Sequence, residues 1–377
     1  MPSWGKVHLL TSSRLAIVSL LAGTLALGAV QPELTTTLFR SGENGYHTYR
    51  IPALLATRSG ALLAFCEGRK DSASDSGDID IVLKRSTDGG RSWSPMSVIA
   101  DHGPDTIGNP APVIDRSTGT IWLLLTGNPG STAEGEIMHS GAGGTRTVWI
   151  MSSRDDGRTW TPPSEITSSV KRADWRWYAT GPGNGIQLRS GRLLIPCNHS
   201  EGLHSIRSHV IYSDDHGRTW QIGGSLPEKT DECAAVELGD GTLLLNMRHN
   251  LGRHRRAIAR SRDGGRTWSD FRFDEALIDP GCQGSMIRAG KLVFFSNAAD
   301  ERKRIRMTLR ASRDGGRTWP ISMLLYEGPS AYSSLAATKS GAIALLYERG
   351  TATFRETITF TKIRQPELRA FPKNPSA

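Results

Sequence analysis

The eight residues SRDGGRTW occur at positions 261–268 and again, letter for letter, at 312–319. Three looser copies share the pattern S-x-D-x-G-x-[ST]-W: STDGGRSW at 86–93, SRDDGRTW at 153–160 and SDDHGRTW at 213–220. The first residues of successive copies are 67, 60, 48 and 51 positions apart. A recurrence at such intervals indicates an architecture built from repeated supersecondary units.

A second repeat lies between these boxes. A turn that contains glycine precedes a short apolar run six times, and this pattern is typical of β-hairpins. The glycines of these turns are at positions 60, 119, 191, 241, 290 and 341. A box follows each of the first five turns after 20 to 34 residues, and no helical periodicity appears beyond the N-terminal segment. Six similar units of roughly 50–60 residues predict an all-β fold, a six-bladed β-propeller with four antiparallel strands per blade.

The box has the chemistry of a turn. Its Asp can accept hydrogen bonds from backbone N–H groups, its Gly can take a positive φ, and its Trp is expected to anchor the turn by burying its ring. We therefore expect the repeated Asp to be structural. If the boxes join third to fourth strands, they lie on the same face as the Gly turns. A ligand site is then expected on the opposite face, where first strands start and second strands end.

The N-terminal residues are typical of a secretory signal peptide. Lys6 and Arg14 precede the uncharged apolar run 15–30, which ends in small residues. The run is shorter than the ~20 residues that a membrane span needs. We expect cleavage near 28–30, secretion and no stable membrane insertion, with an uncleaved anchor as the alternative. The expected parts of the chain are the signal peptide at 1–30, the propeller catalytic domain at 34–365 and a C-terminal tail at 366–377.

The composition argues against several classes of function. A net charge of +9 fits either a basic surface or an anionic ligand, and no nucleic-acid-binding motif accompanies it. Four scattered cysteines without a C-x-x-C pair favour buried thiols over a zinc site or a disulfide framework. We interpret the histidines at 199, 204 and 209 as loop and strand residues. The sequence therefore predicts no metal, no cofactor and no nucleic-acid partner.

Charged side chains are expected to converge on the face opposite the boxes. Second strands and the loops after them supply Arg69, Arg248, Arg304 and Glu348. First strands supply Arg50, Glu232 and Tyr332. The loop after Arg69 adds Asp71, Asp75 and Asp78. Because one arginine guanidinium can donate two parallel hydrogen bonds to a carboxylate, three arginines would hold a small organic acid firmly.

The sequence resembles the exo-α-sialidases (neuraminidases) over residues 39–363. The resemblance rests on the boxes, Y-R-I-P at 49–52, YATGPGNG at 178–185 and GCQGS at 281–285. Boxes also occur in other propellers, whereas Y-R-I-P together with the arginines, the tyrosine and both acids is strongly specific. The resemblance implies retaining hydrolysis of terminal α-linked sialic acids from glycoproteins, glycolipids and oligosaccharides. The implied partners are sialylated glycans, and we expect a monomer.

The resemblance also implies a role for each residue. Arg50, Arg248 and Arg304 correspond to the triad that holds the sialic acid carboxylate, although Arg302, Lys303 and Arg306 leave the register of Arg304 open. Glu348 would orient Arg50, and Arg69 would lie near the substituents of the sugar. Tyr332 corresponds to the nucleophile, Glu232 to its partner and Asp75 to the acid/base, with Asp71 or Asp78 as alternatives.

A tyrosine nucleophile suits a sialic acid because the anomeric carbon of this sugar carries a carboxylate. That carboxylate would repel a carboxylate nucleophile but not a neutral phenol. With an ordinary pKa of about 10, the phenol needs a base, which Glu232 would provide. Asp75 would protonate the leaving oxygen and then activate water. The alternatives are a trans-sialidase, an intramolecular trans-sialidase and a non-catalytic propeller that binds sialoglycans.

Overall fold

The computed structural model describes residues 1–2, 32–139, 146–202 and 205–364. Most of the expected signal peptide, the expected tail at 366–377 and His204 lie outside the described residues. Within the described ranges, no helix has the length and apolar character needed to cross a membrane.

The described strands form six antiparallel blades, as the sequence predicts. The described fold starts with β1 (Leu34–Arg40), the outer strand of blade six. Blade one contains β2 (Thr48–Ala56), β3 (Leu62–Arg69), β4 (Ile79–Ser86) and β5 (Ser97–Ala100). Blade two contains β6 (Thr106–Ile114), β7 (Ile121–Asn128), β8 (Thr147–Ser153) and β9 (Ser164–Glu165).

In blade three the inner strand is split in two. This blade contains β10 (Trp175–Thr180), β11 (Ile186–Gln187), β12 (Leu193–Glu201), β13 (Ser205–Ser213) and β14 (Gln221–Ser225). Blade four contains β15 (Thr230–Glu237), β16 (Leu243–His249), β17 (Arg255–Ser261) and β18 (Ser269–Ile278).

One long strand links the last two blades. Blade five contains β19 (Ser285–Ala289), β20 (Leu292–Ala298), β21 (Ile305–Ser312) and the first part of β22 (Ile321–Ala337). Blade six contains the rest of β22, together with β23 (Ile343–Arg349), β24 (Thr357–Ile363) and β1.

Within the described ranges, two short helices interrupt the all-β pattern that the sequence suggests. They are α1 (Glu134–His139), between β7 and β8, and α2 (Thr167–Val170), between β9 and β10. Both are too short for a hydrophobic periodicity to reveal them. The first helix supplies Glu134 to the functional site described below.

The core lies between the blades. Every residue of β3 is buried, because a second strand has a neighbouring blade against each of its faces. One apolar cluster joins blade one to blade six through Leu62, Leu346 and Phe360, and another joins blade one to blade two through Phe65 and Leu123. The apolar runs after the Gly turns therefore build the contacts that pack neighbouring blades together.

The ends of the described propeller close on each other. Strand β1 pairs antiparallel with β24, with Leu34 opposite Lys362 and Arg40 opposite Thr357. Leu38 and Phe39 are buried in the cluster that joins the last blade to the first. Because a closed propeller needs a strand shared between the two ends of the chain, the sequence predicts that residues 34–39 complete the last blade beside 354–361. The observed pairing confirms this prediction, with partners at 357–362.

The boxes form the turns between third and fourth strands. In the box at 261–268, Asp263 accepts hydrogen bonds from the N–H groups of Arg266 and Thr267 at 3.0 and 2.9 Å. Its second oxygen accepts from the Thr267 hydroxyl at 2.6 Å, and Ser261 Oγ accepts from Gly265 N–H at 2.9 Å. The repeated Asp is structural, as expected.

The tryptophans of the boxes differ in burial more than the sequence suggests. Trp220 and Trp319 are buried, with 4% and 9% of their surface exposed. Trp93, Trp160 and Trp268 remain half-buried, so the expectation that each box buries its ring is wrong for three of five. These three rings pack against apolar clusters that neighbouring blades share, and the clusters cover them only in part.

Irregularities in the inner strands direct side chains toward the axis. A register shift interrupts the pairing between Arg50 and Ala53, between Thr230 and Cys233, and between Ser330 and Ser333. Comparable shifts occur in the inner strands of blades two and three. A β-bulge bends its strand and re-aims its side chains. The three bulges lie beside the expected site residues of blades one, four and six.

Candidate active site

A cavity of about 380 Å³ opens on the face opposite the boxes. Seven of the eight residues that the sequence places in the site line it: Arg50, Arg69, Asp75, Glu232, Arg248, Arg304 and Tyr332. The eighth, Glu348, is fully buried behind Arg50. The strand directions therefore bring together side chains that are separated by up to 298 positions in sequence.

At the floor of the cavity, the Tyr332 hydroxyl donates a short hydrogen bond to Glu232 Oε1. The other carboxylate oxygen, Oε2, accepts from Arg248 Nη1 at 3.0 Å. Burial, reinforced by the charge of Glu232, raises the pKa of Tyr332 well above its ordinary value. Burial also raises the pKa of Glu232, which makes this carboxylate a better proton acceptor. The pair is a neutral phenol held against a base.

Glu348 connects an arginine to the tyrosine strand. Its Oε1 accepts from Arg50 Nε at 2.6 Å and from the Ile51 N–H at 3.0 Å, and its Oε2 accepts from the Tyr332 N–H at 3.2 Å. One carboxylate thus fixes both the Arg50 fork and the backbone of Tyr332. The Arg50 guanidinium carbon lies 5.0 Å from the centroid of the Tyr332 ring.

Arg304 follows β20 in the loop before β21, at the register that the sequence favours. Its guanidinium carbon lies 5.7 Å from the centroid of the Tyr332 ring, and its Nη2 donates to the Gly281 carbonyl at 3.3 Å. Arg302, Lys303 and Arg306 are not among the residues that line the cavity. Arg50, Arg248 and Arg304 therefore surround the tyrosine from blades one, four and five.

Asp75 occupies the rim above Arg69. Its Oδ1 lies 2.6 Å from Arg69 Nη2 and 3.9 Å from Arg50 Nη1. Desolvation would raise the pKa of Asp75, but Arg69 and Arg50 outweigh it and hold the pKa below its ordinary value. The alternatives Asp71 and Asp78 do not line the cavity, and Asp78 pairs with Lys70 at 2.8 Å. Of the three aspartates, only Asp75 lines the cavity.

Several side chains in the cavity were missed by the sequence analysis. Glu67 binds Arg69 through Oε2 and the Asn109 N–H through Oε1. On the side of blades two and three, Glu134, Arg146 and Trp177 complete the wall. Arg146 stands just before the third strand of its blade, and third strands also start on this face. The position of Arg146 could therefore have been predicted from the strand directions.

The histidine series consists of strand residues, as expected, as far as the structure describes it. His199 and His209 are buried strand residues, with their Nδ1 atoms 2.9 Å apart, and the Trp175 ring stacks on His199 at 3.5 Å. Burial lowers the pKa of His199 to about 4, so it is neutral at ordinary pH. Across the described ranges, no three His, Cys, Asp or Glu side chains are grouped as metal ligands. All four cysteines are buried and unpaired.

Comparison with known proteins agrees with this architecture. The family model of the BNR repeat-like domain matches residues 60–345. A sialidase from Micromonospora viridifaciens is 35% identical over 340 residues, which cover 82% of this chain and 51% of that protein. An exo-alpha-sialidase from Arthroderma benhamiae is 33% identical over 81% of this chain and 78% of its own length.

A solved structure, the Hadza microbial sialidase Hz136, superposes with a TM-score of 0.81. It is 33% identical in sequence, and the match covers 89% of this chain and 69% of that chain. The present chain thus spans about half of the Micromonospora protein but most of the other two. From its box repeats, its six blades and these likenesses, we conclude that the chain belongs to the sialidase family.

Proposed function

We propose that the protein is an exo-α-sialidase that hydrolyses terminal α-linked sialic acids from glycoproteins, glycolipids and oligosaccharides with retention of configuration. The observation that carries this proposal is the contact of Tyr332 with Glu232 inside a ring of three arginines. Arginine forks hold a carboxylate, and a neutral phenol can approach the carbon that bears it. The residue set also supports hydrolysis without a cofactor.

In the first step, the Tyr332 oxygen forms a bond to the anomeric carbon while the bond to the leaving oxygen breaks. Glu232 takes the phenolic proton, which its raised pKa favours. Asp75 gives a proton to the leaving oxygen. In the second step, Asp75 takes a proton from water as the water oxygen bonds to the same carbon. The bond from that carbon to the Tyr332 oxygen breaks, and the phenol regains its proton from Glu232.

The ion pair with Arg69 limits the fraction of Asp75 that is protonated and can act as the acid. Because this pairing favours the carboxylate form, only a minor fraction of Asp75 is protonated near neutral pH. Substrates that need protonation of the leaving group should therefore react faster at acidic pH. Substrates whose leaving group needs little protonation should show a weaker dependence.

The proposal is tested by incubating the protein with 3′- and 6′-sialyllactose and analysing the products by mass spectrometry and NMR. We expect lactose and free sialic acid, released first as the α anomer. A matched Tyr332→Phe variant should lose most of the activity while keeping the melting temperature of the wild type. An anhydro sugar or transfer to a second glycan would assign the protein to one of the trans-sialidase alternatives, and absence of turnover would favour a binding propeller.

We further propose that the protein is secreted after removal of residues 1–30 and acts as a monomer. The charged residues before an uncharged run of about signal-peptide length support secretion. N-terminal sequencing of protein recovered from culture medium tests this proposal. Recovery of the intact N-terminus in the membrane fraction would contradict it, and light scattering measures the oligomeric state.

A further inference from the structure

The ring of Phe354 lies behind the arginines of the cavity. This residue belongs to the loop between β23 and β24 in blade six, and it packs, half-buried, against a cluster that includes Ile51 and Tyr332. Phe354 is not among the residues that line the cavity. A ligand in the cavity therefore meets the side chains in front of Phe354 rather than its ring.

Two members of the arginine triad lie close to this ring. The guanidinium carbons of Arg50 and Arg304 are 5.4 and 5.5 Å from the Phe354 centroid. A third guanidinium carbon, that of Arg355, is 4.8 Å from it. A cation within about 6 Å of an aromatic centroid is attracted by the negative face of the ring. Phe354 thus offsets part of the repulsion among three like charges that come from blades one, five and six.

The two triad arginines differ in what else holds them. Arg50 pairs with Glu348 at 2.6 Å. Within the described ranges, no ion pair joins Arg304 to a carboxylate, and the one hydrogen bond that its guanidinium donates goes to the Gly281 carbonyl at 3.3 Å. Arg304 therefore depends on Phe354 more than Arg50 does.

An aromatic ring suits this position because it holds a cation without using the N–H groups of that cation. A carboxylate behind Arg304 would accept the same hydrogen bonds that the carboxylate of a bound sugar needs. The face of a ring attracts the positive charge and leaves the edge of the guanidinium free to donate. The arginine can thus stay in place before the ligand arrives, which lowers the entropic cost of binding.

The loop that carries Phe354 is fixed on both sides of this residue. The carboxylate of Glu356 accepts hydrogen bonds from the backbone N–H groups of residues 351–353 at 2.7 to 3.0 Å. The Arg355 carbonyl accepts from the Ser41 hydroxyl at 2.6 Å. The ring therefore has a defined position relative to the arginines.

We propose, on the basis of the sialidase function proposed above, that Phe354 is a positioning residue that holds Arg304, and to a lesser degree Arg50, in the orientation that binds the carboxylate of the substrate. The ring acts through these arginines, so it contributes to binding of the carboxylate and not to the proton transfers. Because the carboxylate is bound in both the ground state and the transition state, loss of the ring should raise KM and leave kcat nearly unchanged.

The test uses Phe354→Leu, which keeps an apolar side chain and removes the ring. In calorimetric titrations, we expect the Kd of the 2,3-unsaturated sialic acid analogue to rise by roughly fivefold to thirtyfold, the effect of losing one or two contacts between a desolvated cation and a ring. KM for an aryl sialoside should rise by a similar factor, while kcat changes by about twofold or less. Phe354→Tyr keeps the ring and should stay within about twofold of the wild type in Kd.

The matched control is Tyr212→Leu, on the face that carries the boxes. The centroid of the Tyr212 ring lies 3.9 and 5.7 Å from the guanidinium carbons of Arg192 and Arg266, so this variant also loses two contacts between arginines and a ring. Its Kd and KM should equal those of the wild type, even where its melting temperature falls.

Three outcomes would overturn the inference and leave the sialidase function intact. They are wild-type affinity in Phe354→Leu, an equal loss of affinity in Tyr212→Leu, and a loss in Phe354→Leu that is confined to kcat. A wild-type protein that neither binds the analogue nor hydrolyses the aryl sialoside would instead overturn the proposed function itself.

A double-mutant cycle identifies the arginine through which the ring acts. In an Arg304→Ala background, Phe354→Leu should change the Kd of the analogue by a smaller factor than in the wild type, because the ring then has one triad arginine fewer to hold. Equal factors in the two backgrounds would show that Phe354 does not act through Arg304.

A second variant covers the case in which Phe354→Leu does not fold. Glu356→Ala keeps the ring and removes the acceptor that fixes residues 351–353, and Glu356 itself does not line the cavity. Because the ring is then less firmly placed, the Kd of the analogue and KM should both rise, by a smaller factor than the loss of the ring causes. An unchanged Kd in Glu356→Ala would contradict the assignment.

Discussion

Individual residues in the cavity differ in their burial and in their hydrogen-bonded or charged partners. Tyr332 and Glu232 are buried and share a hydrogen bond, whereas Asp75 keeps 58% of its side chain exposed and is paired with Arg69. The proposed nucleophile and its proposed base are therefore shielded from water, and the proposed acid/base lies where a leaving group and water can reach it. This division fits a reaction whose second step needs water.

The role of Asp75 predicts a dependence on the leaving group. In Asp75→Asn, kcat/KM for sialyllactose should fall by roughly a hundredfold or more, the usual contribution of a general acid. An aryl sialoside whose leaving group needs little protonation should lose far less. Steady-state kinetics on both substrates measures the difference, and equal losses on the two would exclude proton donation by Asp75.

The raised pKa of Glu134 predicts that the stability of the protein depends on pH. Desolvation, reinforced by the charges of Asp231, Asp75 and Glu232 and opposed by Arg146, raises its pKa from 4.5 to about 7. The folded state then keeps this proton to higher pH than the unfolded state, so the glutamate lowers stability progressively between about pH 4.5 and about pH 7.

Glu134→Gln should abolish this loss because the amide does not ionise. Relative to the wild type, the variant should gain melting temperature as the pH is raised from 4 to 8, with most of the gain below pH 7. Calorimetric scans across this range measure the difference between the two proteins. A difference that does not change with pH would show that Glu134 is not desolvated as described.

At the scale of elements, boxes and bulges occupy opposite ends of the blades and have separate effects. The boxes tie third strands to fourth strands through repeated Asp contacts, far from the cavity. The bulges in β2, β15 and β22 lie beside Arg50, Glu232 and Tyr332. Stability at the box face can therefore change without a change in chemistry at the other face.

The unequal burial of the box tryptophans predicts unequal effects of the same substitution. Trp220→Ala should lower the free energy of unfolding by about 3–5 kcal/mol, the usual effect of emptying a buried aromatic site. Trp93→Ala, at the matching position of a half-buried box, should lower it by roughly half as much. In both variants kcat of the folded protein should stay close to that of the wild type.

Urea unfolding measures the two free energies, and initial rates on an aryl sialoside measure kcat. A Trp220→Ala variant that keeps its stability but loses turnover would place the boxes near the chemistry. Equal destabilisation by both substitutions would mean that the burial of the ring does not determine its contribution.

In the whole molecule, the first and last blades of the closed ring both contribute to the cavity. Arg50 belongs to blade one, and Glu348, which fixes its fork, belongs to blade six. Strand β1 joins these two blades by pairing with β24 while Leu38 and Phe39 pack into the shared core. Loss of β1 should therefore affect stability and activity together.

We expect a chain that starts at residue 41 to melt roughly 10 °C or more below one that starts at residue 33, because it loses a strand ladder and two buried apolar side chains. Its kcat/KM should fall as well, since the contact of Arg50 with Glu348 depends on the closed ring. Calorimetry and steady-state kinetics on both chains provide the comparison. Normal activity with a lowered melting temperature would show that the site forms without closure.

The repeats alone predict the six blades, the structural role of the box Asp and the side chains that meet at one face. This was possible because hairpins are local: a Gly turn, an apolar run and a box specify strand directions, and these directions place Arg50, Arg248 and Tyr332 at one end. The pairing of β1 with β24 also followed, because a closed ring needs a partner for its last edge.

The packing of the folded ring sets how neighbouring blades and loops cover individual side chains, which the repeats do not predict. It left Trp93 half-buried while burying Trp220, paired Asp75 with Arg69, and buried Arg146 against Trp177 without an acceptor. Burial and charge pairing depend on atoms that are distant in sequence, and a local repeat carries no information about them. For this protein the repeats determine the ring of blades, and lateral packing in the closed ring determines which groups in the cavity are free to bind a ligand.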